Sequence, residues 1–182
     1  MNILRFLPML LLLTACASLS NEELAEKRGA LDTMGEEAVA RLIEQSPELK
    51  SVFDDALGYL VADMKVTKVP VVGGGAGKGV VVDQRDGSRK YIQVARFDVG
   101  GGWGIRSYKL LMVFTDEKVM KKAASGSWNF EAGAEAAAGT ASAEGSTGDV
   151  VNTKGFTSYT LSEGGASATV TARVVRVKPY LK

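Results

Sequence analysis

At Tyr59 the hydrophobic pattern of the chain changes period, and that change limits the fold more than any other feature. Before it, apolar residues recur at helical spacing. After it, short β-branched runs alternate with glycine. Residues 69–72 and 80–82 are valine-rich runs on either side of Gly73-Gly74-Gly75-Ala76-Gly77-Lys78-Gly79. Asp86-Gly87 marks a tight turn, and residues 91–99 return as a strand. Gly100-Gly101-Gly102-Trp103-Gly104 follows, then a strongly apolar strand over 107–114. Trp128, Phe130, Ala132, Ala134 and Ala136 alternate with polar residues or glycine, which predicts a strand although alanine and glutamate favour helix. Ala168, Val170, Ala172 and Val174 alternate in the same way; the phase flips near Val175, which suggests a bulge, and Pro179 stops the strand.

The residues before Tyr59 read as helix. Leu24, Leu31, Met34, Ala38, Leu42 and Ile43 fall on one face of a helix over 21–45. Ser20 or Asn21 can cap it, with Glu22 and Glu23 in the favourable first turn, while Gly29 and Gly35 weaken it. Ser46-Pro47 predicts a second helix carrying Leu49, Val52, Phe53 and Ala56 and ending at Gly58. A third, short helix follows Thr115 or Asp116 and runs to Ala124. The expected fold is therefore α+β: a mainly antiparallel β-sheet, sandwich or barrel-like, with N-terminal helices and one short inserted helix.

The first residues form an export signal. Arg5 supplies the basic start, residues 6–13 are apolar apart from one proline, and Leu13-Thr14-Ala15 precede Cys16. The apolar run is too short to cross a bilayer, which takes about 20 residues. The Leu-Thr-Ala-Cys ending resembles the lipobox of bacterial lipoproteins; the alternative is an ordinary secretory signal with a chance cysteine. The resemblance implies cleavage before Cys16, a diacylglyceryl group on its sulfur and usually an acylated new amino terminus, with palmitate-type chains. Cys16 is the one cysteine of the chain, so no internal disulfide can form. Each buried methylene contributes about 0.8 kcal/mol, and two or more acyl chains hold stably. Ala17 is not the aspartate that retains such proteins in the inner membrane. The expected location is thus the cell envelope, on the outer membrane facing the periplasm in a Gram-negative cell. The organisation expected is a signal over 1–15, a tether over 16–20 and a single domain over 21–182, helical over 21–57 and β-rich over 58–182.

Composition excludes several functions. The chain has 22 basic and 21 acidic residues, and removal of the signal takes away Arg5 alone. The resulting neutral balance argues against nucleic acid as partner. With no histidine and its one thiol lipidated, the chain offers poor metal chemistry and no Ser-His or Cys-His nucleophile. Gly77-Lys78 lacks the upstream glycine and the following Ser or Thr of a phosphate loop. Glycines in such strands permit bends, bulges or close packing. Asp54 and Asp55 are adjacent on a helix end and do not face each other. No enzyme activity and no cofactor are expected.

The basic residues carry the functional expectation. Lys65, Lys68 and Lys78 precede or sit in the first glycine-rich loop, Arg85, Arg89 and Lys90 surround the hairpin turn, and Arg106 and Lys109 follow the second glycine run. If these loops gather at one end of the sheet, the eight charges form one patch for anionic headgroups, at about 1 kcal/mol per charge; otherwise they are ordinary solvated side chains. Trp103 is either an interfacial aromatic or part of the core. The first helix is acidic on its polar face, through Glu22, Glu23, Glu26, Glu36 and Glu37. That suits packing on the sheet better than anionic lipid.

Several segments in fixed order resemble the SYLF lipid-binding domain. They are Ala56-Leu57-Gly58-Tyr59, the glycine run ending in Gly77-Lys78-Gly79-Val80, Gly102-Trp103-Gly104-Ile105 and Leu110-Leu111-Met112-Val113-Phe114-Thr115. The Val119 helix, residues 128–139, Tyr159 and Gly164 continue the order, so the resemblance covers roughly 51–182. It implies non-catalytic phospholipid binding, with phosphoinositides as ligands of eukaryotic members; the actin binding of some fungal members is not carried over. Two segments depart from the family pattern. Residues 65–70 are less glycine-rich, and Gly164-Gly165-Ala166-Ser167 with a Thr/Val strand replaces the C-terminal glycine-bounded apolar motif. The lipid site is thus implied as a region, not residue by residue. The other expectations are a structural or protein-interaction lipoprotein of the envelope, and a hydrolase using paired carboxylates.

Overall fold

The computed structural model describes residues 19–140 and 147–181. Cys16 and the signal lie outside the described residues. Three helices, α1 (Asn21–Gln45), α2 (Leu49–Asp54) and α3 (Glu117–Ser125), accompany six strands: β1 (Gly58–Lys68), β2 (Val72–Asp83), β3 (Arg89–Phe114), β4 (Asn129–Thr140), β5 (Thr147–Thr153) and β6 (Phe156–Pro179).

The architecture is α+β, built on an antiparallel sheet that curls into a half-barrel. β3 produces the curl. Its first half pairs with β2 from Val99↔Val72 to Arg89↔Val82, and its second half pairs with β1 from Gly104↔Lys68 to Phe114↔Gly58. Because β1 and β2 also pair with each other, β3 must fold around the tip of their hairpin. The bend is clamped where Gly100 N–H donates to Val71 O (2.9 Å) and Gly102 N–H to Pro70 O (3.3 Å). Gly100, Gly102 and Gly104 have φ of 143°, 137° and 144°, a region almost closed to residues with a Cβ. β6 follows β3 along nearly its whole length, while β4 and β5 pair with successive parts of the far edge of β6.

Two cores result, one on each face. The interior holds Leu60, Met64, Ile92, Val94, Met112 and Phe114. Its end is closed by Met120 and Ala123 of α3 and by Trp128, whose ring stands edge-on to Phe114 (5.8 Å) and Phe156 (5.1 Å). The outer core puts Val61, Leu111, Val113, Tyr159 and Leu161 beneath Ala38 and Leu42 of α1 and Phe53 of α2. Residues 110–114 are buried on both faces, which is why they read as a continuous apolar run and not as an alternation.

The first helix starts in a capping box: Glu23 N–H donates to Ser20 Oγ (3.2 Å) and Ser20 N–H to Glu23 Oε2 (2.8 Å). Asp116 caps α3 by accepting from Val119 N–H. Three expectations need correction. Ser46 closes α1, its N–H bonded to Leu42 O at 3.0 Å, and α2 starts only at Leu49, so Ala56 lies beyond that helix. Residues 73–79 are strand, not loop. A Cβ on Gly75, Gly77 or Gly79 would fall within 2.5 Å of Val66 or of the backbone oxygens of Asp63 and Val61, so the coil of β1 on β2 leaves no room there. The second glycine run is likewise a bend inside one strand. Finally, the β3–β6 register is unbroken at Val175; it slips between Ser107 and Tyr108, opposite Glu163.

Candidate functional site

On β2 and the first half of β3 the outward positions form rows, and α1 covers only the rows nearest the 83–89 turn. Proceeding away from the helix, register sets Lys109, Asp63, Lys78, Gln93 and Lys178 side by side. The next row holds Ser107, Lys65, Ala76, Ala95 and Arg176. Ala76, Gly77 and Ala95 are too small to fill this part of the face. They floor a groove of about 450 Å³, rimmed by Lys65, Lys78, Lys178 and Gln93. Lys78 Nζ lies 4.9 Å over the Tyr180 ring.

Beyond the groove the sheet ends in apolar side chains that no described residue covers. Thr67, Gly74 and Phe97 share one row, Val72 and Val99 the next. Val69 and Val71 form the hairpin tip, and Trp103 and Ile105 flank the bend. Trp103 is 67% exposed, Ile105 and Val71 both 64%, and Phe97 55%. That settles Trp103 as a surface residue. Contiguous exposed apolar surface of this kind marks an interaction site.

The inner face beneath this end is polar. Asp98 is fully buried, and both its oxygens accept from Arg96 Nε, at 2.8 and 2.9 Å. Arg96 Nη1 donates to the Tyr108 hydroxyl at 2.8 Å. Burial works against the Arg96 charge, but Tyr108 and Asp98 outweigh it and raise its pKa further. The Arg106 guanidinium carbon lies 5.5 Å over the Tyr108 ring. Lys68 also points inward and is 5% exposed.

The eight predicted basic residues therefore do not form one patch, because all but Arg85, which sits in the 83–89 turn, lie on strands, and these strand positions point to both faces of the sheet. Lys65 and Lys78 meet at the groove. Lys109 is next to it but is held by Asp63 (3.1 Å) and Glu163 (2.9 Å). Burial alone would lower its pKa, and those two carboxylates reverse the shift. Arg85 bonds Asp83 and Glu117. Arg89 bonds Asp32 and Glu36 of α1, which latches the helix to the sheet. Lys90 is exposed at the same distant end, while Lys68 and Arg106 belong to the inner cluster. Sequence reasoning missed Lys178 and the apolar end. Its signal was present in Arg96-Phe97-Asp98-Val99, an alternation with charge on one side and apolar residues on the other. Among the described residues, no group of three or more Cys, His, Asp or Glu could hold a metal ion.

No family model matches the chain. The chain is similar to Beta cell expansion factor A of Aeromonas veronii, at 29% identity over 119 residues. Those residues make up 65% of this chain and 45% of that protein, so the chain spans less than half of its relative's length.

Proposed function

We propose that the chain is a bacterial lipoprotein, anchored through Cys16, whose SYLF-like domain binds anionic phospholipid without catalysis. The observation that carries this reading is the uncovered apolar end of the sheet, with the lysine-rimmed groove immediately behind it. Apolar side chains at a tip can enter the acyl boundary of a bilayer, while lysines one or two rows back meet the headgroups. Two residues along a strand span about 7 Å, so Lys65 lies at headgroup depth when Phe97 and Ile105 are immersed. The lipobox-like ending and Ala17 support an outer-membrane anchor facing the periplasm.

A protein partner in the envelope is the second reading, because an exposed apolar patch also suits a protein surface. The free lysines beside the patch favour lipid. Co-sedimentation with neutral and anionic vesicles at low and high salt separates the two. Binding to anionic vesicles that salt weakens supports docking on lipid. Absence of binding to every vesicle would overturn it and leave the patch to a protein.

A further inference from the structure

Lys68 is the last residue of β1 and shares the inward parity of Leu60, Met64 and Val66. Its Nζ is buried and has no hydrogen-bond partner among the described residues. A buried ammonium in that state is strongly disfavoured unless an anion meets it. The Asp98 carboxylate offers no relief. Asp98 Oδ2 and Lys68 Cγ approach the same point above Gly73, at 3.3 and 3.2 Å from where a Cβ would stand. Yet Asp98 is engaged by Arg96 through both oxygens. Lys68 therefore adds a buried positive charge that Asp98, already bonded to Arg96, does not pair. The inward positions of the overlying bend are Gly100, Gly102 and Gly104, so this end of the interior is roofed by backbone. Glycine permits a ligand to approach the backbone closely.

We infer that the inner end of the half-barrel is a binding site for a phosphate group, with Lys68 Nζ as its unpaired ligand and the Tyr108–Arg96–Asp98 chain fixing the cationic wall. Phosphate fits because it accepts several charge-assisted hydrogen bonds at once and meets the Lys68 ammonium with a negative charge. The group reaches the site either as a free anion or on a lipid headgroup. The site stands on the opposite face of the sheet from the groove and does not depend on the docking reading.

The test titrates inorganic phosphate into the full chain in non-ionic detergent, by calorimetry and by thermal unfolding. One saturable site and a phosphate-dependent rise in Tm are expected. Lys68→Met should weaken binding by about 10-fold or more, while Lys68→Arg and the groove variant Lys65→Met retain it. Absence of saturable binding and of any Tm shift in the unaltered chain overturns the site, whatever the variants do. Undiminished binding by a folded Lys68→Met does so too. Phosphatidylcholine vesicles with and without phosphatidic acid then identify the source. Inorganic phosphate competes with the acidic vesicles if the ligand is a headgroup, and leaves them bound if it is the free anion. A chain that takes phosphate but no vesicles loses the docking reading and keeps the site; the converse result loses the site alone.

Discussion

Gly35 of α1 lies flat against Val80 of β2: a Cβ on Gly35 would stand 3.0 Å from Val80 Cγ1. The same glycine weakens the helix by propensity, so it is retained for contact and not for local stability. Gly29, less than two turns earlier, has nothing within 4 Å. The two positions should respond oppositely. Gly35→Leu should destabilise by about 1–3 kcal/mol through overpacking, and Gly29→Ala should stabilise by up to about 1 kcal/mol. Urea unfolding of both variants checks this; equal responses would mean that α1 does not seat on β2 as described.

Trp103 and Trp128 are the two tryptophans of the chain, one exposed and one buried. A shift of emission to the blue on adding anionic vesicles should therefore come from Trp103, and Trp103→Phe should abolish it. Trp103→Ser with Ile105→Ser should weaken vesicle binding by about 10-fold or more, since each large apolar side chain removed from water contributes about 1.5–3 kcal/mol. Their Tm should stay that of the parent, because neither side chain is part of a core.

Trp128 is the converse case. Its ring closes the interior against Phe114 and Phe156, and Trp128→Ala should cost about 3–5 kcal/mol. Denaturant unfolding would show it; a loss below about 1 kcal/mol would mean that the interior is closed by α3 alone.

Most of the elements were legible in the sequence, because each follows from local periodicity. α1 runs over the residues that its 3.6-residue repeat marks, and the period-two reading of 128–136 outweighs alanine's helix propensity. The joins were not legible. Gly73, Gly75, Gly77 and Gly79 look like loop residues until β1 is seen to press on them, and Gly100–Gly104 like a break until the hairpin tip is seen inside the bend. Both are contacts between segments distant in sequence. The apolar end was missed for a related reason. Alternation names two faces but not which is inward, and Arg96 and Asp98 are inward because they satisfy each other.

The acid side of the stability curve should carry a small contribution from the Arg85 cluster. Arg85 is hydrogen-bonded to Asp83 and Glu117, and this lowers both carboxyl pKa values below their ordinary range. A folded pKa below the unfolded one means stability that is present above the unfolded carboxyl pKa. It is lost as pH falls through the folded values. All three groups are solvent-accessible, so screening keeps the effect small. Carboxyl NMR titration should show both values rise in Arg85→Met; unchanged values would mean that the cluster does not persist in solution.

The lysines at the groove give the sharpest contrast with the rest of the positive charge. Lys65 and Lys78 stand next to the apolar end without an ion-paired acidic partner among the described residues, whereas Arg85 and Arg89 are ion-paired near the 83–89 turn. A basic residue at an anionic surface contributes about 1 kcal/mol, so Lys65→Gln with Lys78→Gln should weaken binding to anionic vesicles roughly 30-fold. Arg85→Gln with Arg89→Gln removes the same formal charge four or more residues further along the strands, at least about 13 Å away. At that distance the field is screened at physiological salt, where the Debye length is about 8 Å. The arginine pair should therefore leave vesicle binding unchanged while lowering Tm, since Arg89 latches α1. Equal losses in the two double variants would mean that net charge, not the position of the groove, draws the chain to lipid, and the end-on geometry would fall.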